Sequence, residues 1–84
     1  MARGTIRYWA AARAAAGVEE EPYEAATLAE ALHNARRGRS GDFARVLERS
    51  SFLIDGAPVG TRPHEGVALA EGAVIEVLPP FAGG

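Results

Sequence analysis

Eighty-four residues with 48% hydrophobic and 24% charged side chains make one domain with a single modest core, too small for a deep catalytic cleft; binding or carrying is favoured over catalysis by the chain alone. A formal net charge of -2 without a long basic stretch gives no electrostatic basis for nucleic-acid binding, and no apolar run approaches the length that spans a bilayer. Cysteine is absent, which excludes disulfides, thiolate metal sites and a cysteine nucleophile, so any sulfur chemistry must use sulfur brought from elsewhere.

The opening MARGTIRYWAAARAAAG meets Arg3, Arg7 and Arg13 too early for the apolar stretch of a signal peptide, which predicts a cytoplasmic protein. Within it, Thr5 to Ala10 is β-branched and aromatic. Alternation predicts a strand with Ile6, Tyr8 and Ala10 on one face and Arg7 and Trp9 on the other. AARAAAG predicts a short helix or turn stopped by Gly17, and VEEEPYEA an edge strand marked by Pro22, its acidic run Glu19 to Glu21 solvated. Thr27 and Glu30 form the spacing of a capping box. The helix that follows lines up Leu28, Ala31, Leu32 and Ala35 and places Arg36 and Arg37 at its C-terminal dipole before Gly38.

After the loop GRSGD, DFARVLERS predicts a shorter helix burying Phe43, Val46 and Leu47. SFLIDGAPVG reads as two short strands around Asp55-Gly56, with Phe52 and Ile54 on one face and Leu53 on the other. Past GTRPHEG and the turn Glu71-Gly72, a last strand from Ala73 to Leu78 buries Ala73, Ile75 and Val77 and shows Val74, Glu76 and Leu78 outward. This order predicts an α+β fold, a β-grasp (ubiquitin-like) roll. Its mixed sheet of four to five strands packs on one main helix plus a short one, with the first and last strands as parallel neighbours in the middle.

The chain closes on LPPFAGG. A domain over 1-78 and a tail over 79-84 follow, with Pro79 and Pro80 ending strand hydrogen bonding and holding an extended exit, Phe81 as an anchor, and Gly83 and Gly84 lacking side chains that would obstruct a narrow channel. Gly-Gly alone also suits a frayed end. On the outer sheet face, Trp9, the only tryptophan, joins Leu53 and Leu78 in an apolar patch of the kind that anchors partners, unless a turn covers it. His33 and His64 have no second ligand at metal spacing, so no metal site is expected, and Asp55-Gly56 has the form of a turn. All nine basic residues are arginine, so no lysine offers itself for modification, though codon bias alone produces such a pattern.

With IRYWAAARAAAG at its opening, LIDGAPV at its hairpin and LAEGAVIEVLPPFAGG at its close, the chain resembles the ubiquitin-like sulfur carriers (the MoaD/ThiS group), most closely the small subunit of molybdopterin synthase. Ala73 departs from the aspartate that often follows the turn glycine there. The resemblance implies that an adenylating enzyme of the ubiquitin-activating type joins the Gly84 carboxylate to AMP, consuming ATP, and that a sulfur donor then leaves a terminal thiocarboxylate. It further implies docking through the outer sheet face and no cofactor bound to the carrier itself. The second partner is the synthase large subunit or another sulfur-accepting enzyme. Other destinations for the sulfur are thiazole, cysteine or thiosugars; a protein modifier joined through Gly84, or an interaction domain with an inert tail, are the readings of a different class.

Overall fold

The computed structural model of the chain describes residues 1–80. Its elements follow in the order β1 (Ala2–Tyr8), α1 (Ala10–Ala16), β2 (Glu20–Ala25), α2 (Leu28–Arg36), α3 (Gly41–Arg49), β3 (Ser51–Ile54), β4 (Ala57–Pro58), a single 3-10 turn (His64–Gly66) and β5 (Val74–Leu78). The five strands form one mixed sheet in the order β2-β1-β5-β3-β4, with β1 and β5 parallel at its centre and the other pairs antiparallel. The β-grasp fold expected from the pattern is the fold observed. Three helices cover one face, and α3 matches α2 at nine residues, where the pattern predicted one main helix and a shorter one.

Alternation decides which face is which. Ile6, Tyr8, Ile75 and Val77 are almost wholly buried against Leu28, Leu32 and Phe43 from the helices, and Tyr8 meets Phe43 edge to face with ring centroids 5.6 Å apart. Val67 and Leu69 reach the same core from the long connection before β5. That connection is tied down where Leu28 donates its N–H to the Val67 carbonyl and Leu69 donates to Ala26. The α2 cap differs slightly from the expected box: Thr27 Oγ1 accepts from the Glu30 N–H at 3.2 Å, but the Glu30 carboxylate reaches back to the N–H of Ala26 at 2.6 Å.

Two places fix the register of β5. Asp55 and Gly56 both take positive φ, +50° and +83°, the geometry of a two-residue hairpin turn, and Asp55 accepts the Val74 N–H on Oδ1 at 2.9 Å. At the other end of the sheet, the Tyr23 hydroxyl crosses Gly4 to donate to the Ala73 carbonyl at 2.8 Å. A Cβ on Gly4 would lie 2.1 Å from that carbonyl oxygen and 2.6 Å from the hydroxyl, so the crossing requires glycine.

Strand bounds shift from the expected ones at both ends. β1 runs from Ala2 and stops at Tyr8; Ala10 is not a strand residue but the exposed first residue of α1, with φ of +49°, because the chain turns off the sheet at Trp9. Ala73 is buried as expected but precedes β5. Pro79 is also buried, so the packed part of the chain reaches one residue beyond Leu78.

Candidate functional site

The face of the sheet away from the helices is built from the outward residues of β1, β5, β3 and β4. Strand pairing lines up Arg7, Glu76, Leu53 and Pro58 in one row across it, flanked on the β2 side by Glu20. Trp9 extends this face past the end of β1. Its backbone stays extended, its N–H still donates to the Val77 carbonyl at 3.2 Å, and its side chain is 44% exposed, so α1 does not cover it. The indole Nε1–H donates to Glu76 Oε1 at 3.1 Å.

Leu53 and Leu78 are half-buried. Leu53 lies directly opposite Glu76 and Leu78 follows Glu76 on the same face, opposite Ser51. The three apolar residues singled out from the sequence are thus brought around one carboxylate, and the patch is not continuous. The alternation turned Glu76 outward with Val74 and Leu78, but nothing in the sequence assigned it a role. Arg7, its neighbour in register, points its guanidinium the other way, with Nε 3.2 Å from Glu20 Oε2.

Below this face β5 ends. Of the expected exit residues, Pro79 is buried and belongs to the packed domain, whereas Pro80 is exposed. Phe81, Gly83 and Gly84 lie outside the described residues.

The acidic run expected to be solvated is only partly so. Glu21 pairs with Ile6 in register and therefore faces the helices, where its carboxylate takes the Tyr8 hydroxyl and both terminal nitrogens of Arg39 at 2.7 and 3.0 Å. Arg39, in the loop after α2, also donates to the carbonyls of Ala35 and Ala16 at 2.7 and 3.2 Å and stacks 4.9 Å above the Phe43 ring. Four of the five N–H donors of this fork are used. Burial pushes the Glu21 carboxyl up, but the bonds from Arg39 and Tyr8 outweigh it and hold the group below the ordinary carboxylate value. Burial, then the Glu21 carboxylate, raises the Tyr8 phenol well above its ordinary value. The hydrogen bond to Glu21 raises Arg39 as well. This ion pair fastens β1, β2, α1 and α2 together, and both its side chains line an open cavity between β2 and the end of α2, bordered by Pro22, Asn34 and Gly38.

His33 is exposed on α2 and His64 packs edge-on against Phe52 at 5.0 Å. Among the described residues no three acidic or histidine side chains converge as metal ligands, and no helix is long and apolar enough to cross a membrane. The outer face thus shows an exposed indole and two half-buried leucines around one carboxylate, beside the end of a central strand.

A family model matches residues 6–84, all but the first five. The chain belongs to the ThiS family. ThiS-family carriers are small ubiquitin-like proteins that serve an activating enzyme and sulfur-accepting partners and do not catalyse the transfer themselves. Several solved structures share the ThiS-like fold. Small archaeal modifier protein 1 from Methanosarcina acetivorans superposes with a TM-score of 0.80 at 23% identity, covering 100% of this chain and 98% of that one. A protein described as putative molybdopterin converting factor, subunit 1, from Pyrococcus furiosus gives 0.78 at 21% identity, covering 96% and 100%. CysO of Mycobacterium tuberculosis gives 0.74 at 16%, covering 92% and 98%. No curated protein sequence matches the chain closely enough to count as a relative. At these identities the neighbours establish the β-grasp fold alone, and the family model establishes the carrier class.

Proposed function

We propose that this ThiS-family chain carries sulfur on the carboxyl group of Gly84 for the synthesis of molybdopterin. The observation that supports the carrier chemistry most is the reach of the family match through Pro79, Pro80, Gly83 and Gly84 to residue 84. The Pro-Pro exit is what favours molybdopterin over thiazole, cysteine or thiosugars as the destination. At neutral pH a terminal carboxylate, with a reference pKa of about 3.5, is ionised and resists acyl transfer. Adenylation by the partner enzyme attaches AMP with release of pyrophosphate, and a sulfur donor displaces AMP to leave the thiocarboxylate. Docking at Trp9, Leu53 and Leu78 holds the domain, the prolines stiffen the exit, Phe81 anchors the tail on the enzyme, and Gly83 and Gly84 admit the terminal carbon to it. The large synthase subunit then takes the sulfur.

Intact mass after incubation with the cognate adenylating enzyme, ATP and a sulfur source tests the reading. The chain should gain the mass difference between one sulfur and one oxygen. Deleting Gly84, or replacing Gly83 by Trp, should abolish the gain and leave the melting temperature in place. Gain of sulfur by the Gly84 deletion at the normal rate would show that the terminal carboxylate is not the acceptor. Transfer of the sulfur to a molybdopterin precursor with the large synthase subunit tests the destination; an adduct on target amines in place of a thiocarboxylate would make the chain a modifier.

A further inference from the structure

Glu76 stands at the middle of the docking face without a cation. Its neighbours in register are Arg7 and Leu53, yet Arg7 is engaged with Glu20. The remaining ion pairs among the described residues are Arg3–Glu24, Arg13–Glu19, Arg39–Glu21 and Arg45–Asp42, and none includes Glu76. Among the described residues its one side-chain bond is the contact from the Trp9 indole to Oε1. A carboxylate in this position is comfortable while water reaches it. Once a partner settles over Trp9, Leu53 and Leu78, that water leaves, and a buried charge without a counter-ion or full hydrogen bonding is strongly unfavourable. A wholly apolar partner surface would therefore be rejected.

We infer that Glu76 is a specificity-determining residue of this face: it holds the Trp9 indole in place and reserves its charge for an arginine or lysine on the partner that covers the face. The inference rests on the reading of the chain as a carrier that docks by its outer sheet face. It names the chemistry of the partner surface, a pocket for an indole bordered by a cation. It also explains why the nearest guanidinium on the chain is paired elsewhere. Had Arg7 closed on Glu76, the charge would be satisfied before any partner arrived and would select nothing.

Two substitutions separate the two roles. Glu76→Gln keeps an oxygen for the indole N–H but removes the charge, and Glu76→Leu removes both. Trp9 is the only tryptophan, so its emission reports its own surroundings. Affinity of wild type and both variants for the cognate adenylating enzyme is measured at low and high salt, with emission spectra of each free protein. The expected result is an unshifted emission maximum for Glu76→Gln with affinity weakened about tenfold at low salt and a flattened salt dependence. Glu76→Leu should weaken binding further and shift the emission. Wild-type affinity and salt slope in Glu76→Gln, or tighter binding by Glu76→Leu, would overturn the inference. Binding is read without turnover, so a wild-type chain that never gains sulfur counts against the carrier chemistry and leaves this comparison intact.

Discussion

The molecule places a carboxylate on each side of its sheet and treats the two in opposite ways. Glu21, on the helix side, is held by Arg39 and the Tyr8 hydroxyl, and its arginine gives two further donors to carbonyls. Glu76, on the open side, keeps one neutral donor and no cation among the described residues. Where the chain needs a charge for its own cohesion it completes the pairing itself; on the face proposed for docking, the pairing is left unfinished. Compensation, more than exposure, separates the structural acid from the one proposed for recognition.

The largest effect that sharpens this contrast is on the structural side. Gly4→Ala forces a methyl group into the path of the Tyr23 hydroxyl and the Ala73 carbonyl, and should cost about 3 kcal/mol of stability by overpacking. Chemical denaturation checks it, and a loss near that of an ordinary exposed strand substitution would mean the crossing yields easily. Next comes Arg39→Met, which keeps much of the packing on Phe43 but strands the Glu21 carboxylate, for an expected loss of about 2 kcal/mol.

The acid limb of the same pair gives a sign. Because the folded Glu21 carboxyl sits below its ordinary value, its contribution is present above the unfolded value of about 4.3 and fades as pH falls through the lower folded value. Wild type should therefore lose more stability than Glu21→Gln when both are titrated from neutral pH into that acid range. Parallel profiles would remove Glu21 from the account of acid stability.

On the open side, Trp9→Ala should weaken binding to the adenylating enzyme by about 2 kcal/mol while changing fold stability by about 0.5 kcal/mol, the reverse of the Arg39 result. Loss of stability without loss of affinity in the folded fraction would move recognition to another surface. The smallest effect belongs to Pro80→Ala: the exposed proline contributes stiffness and no packing, so the rate of thiocarboxylation should fall a few-fold with an unchanged melting curve.

Most of the architecture was legible because it follows from short-range periodicity. Alternation in TIRY and VIEVL separated the two faces of β1 and β5, and Asp55-Gly56 announced its hairpin because so few residues tolerate two successive positive φ values. The outward placement of Trp9 came from the same period. What escaped depends on partners distant in sequence. Glu21 sits in a run of three glutamates that reads as solvated, and only the turn of β2 against β1 aims one of them at an arginine that itself lies in an unpatterned loop. Glu76 was visible as an outward residue, but its importance rests on where Arg7 chooses to pair, which no local pattern encodes. The roles of Gly83 and Gly84 remain a matter of chemistry at the terminus, outside the described residues.

The position of β5 between β1 and β3 also has a mechanical consequence. A pull directed along β5 would act on a strand bonded on both edges, to β1 in parallel and to β3 antiparallel. Such a load falls on the two ladders in shear, so their hydrogen bonds share it and must fail together. An edge strand peeled from its end would give way one bond at a time. Resistance to forced unfolding is set by the barrier to opening, and this geometry raises it for a load along β5. The domain can serve as a handle for its own end.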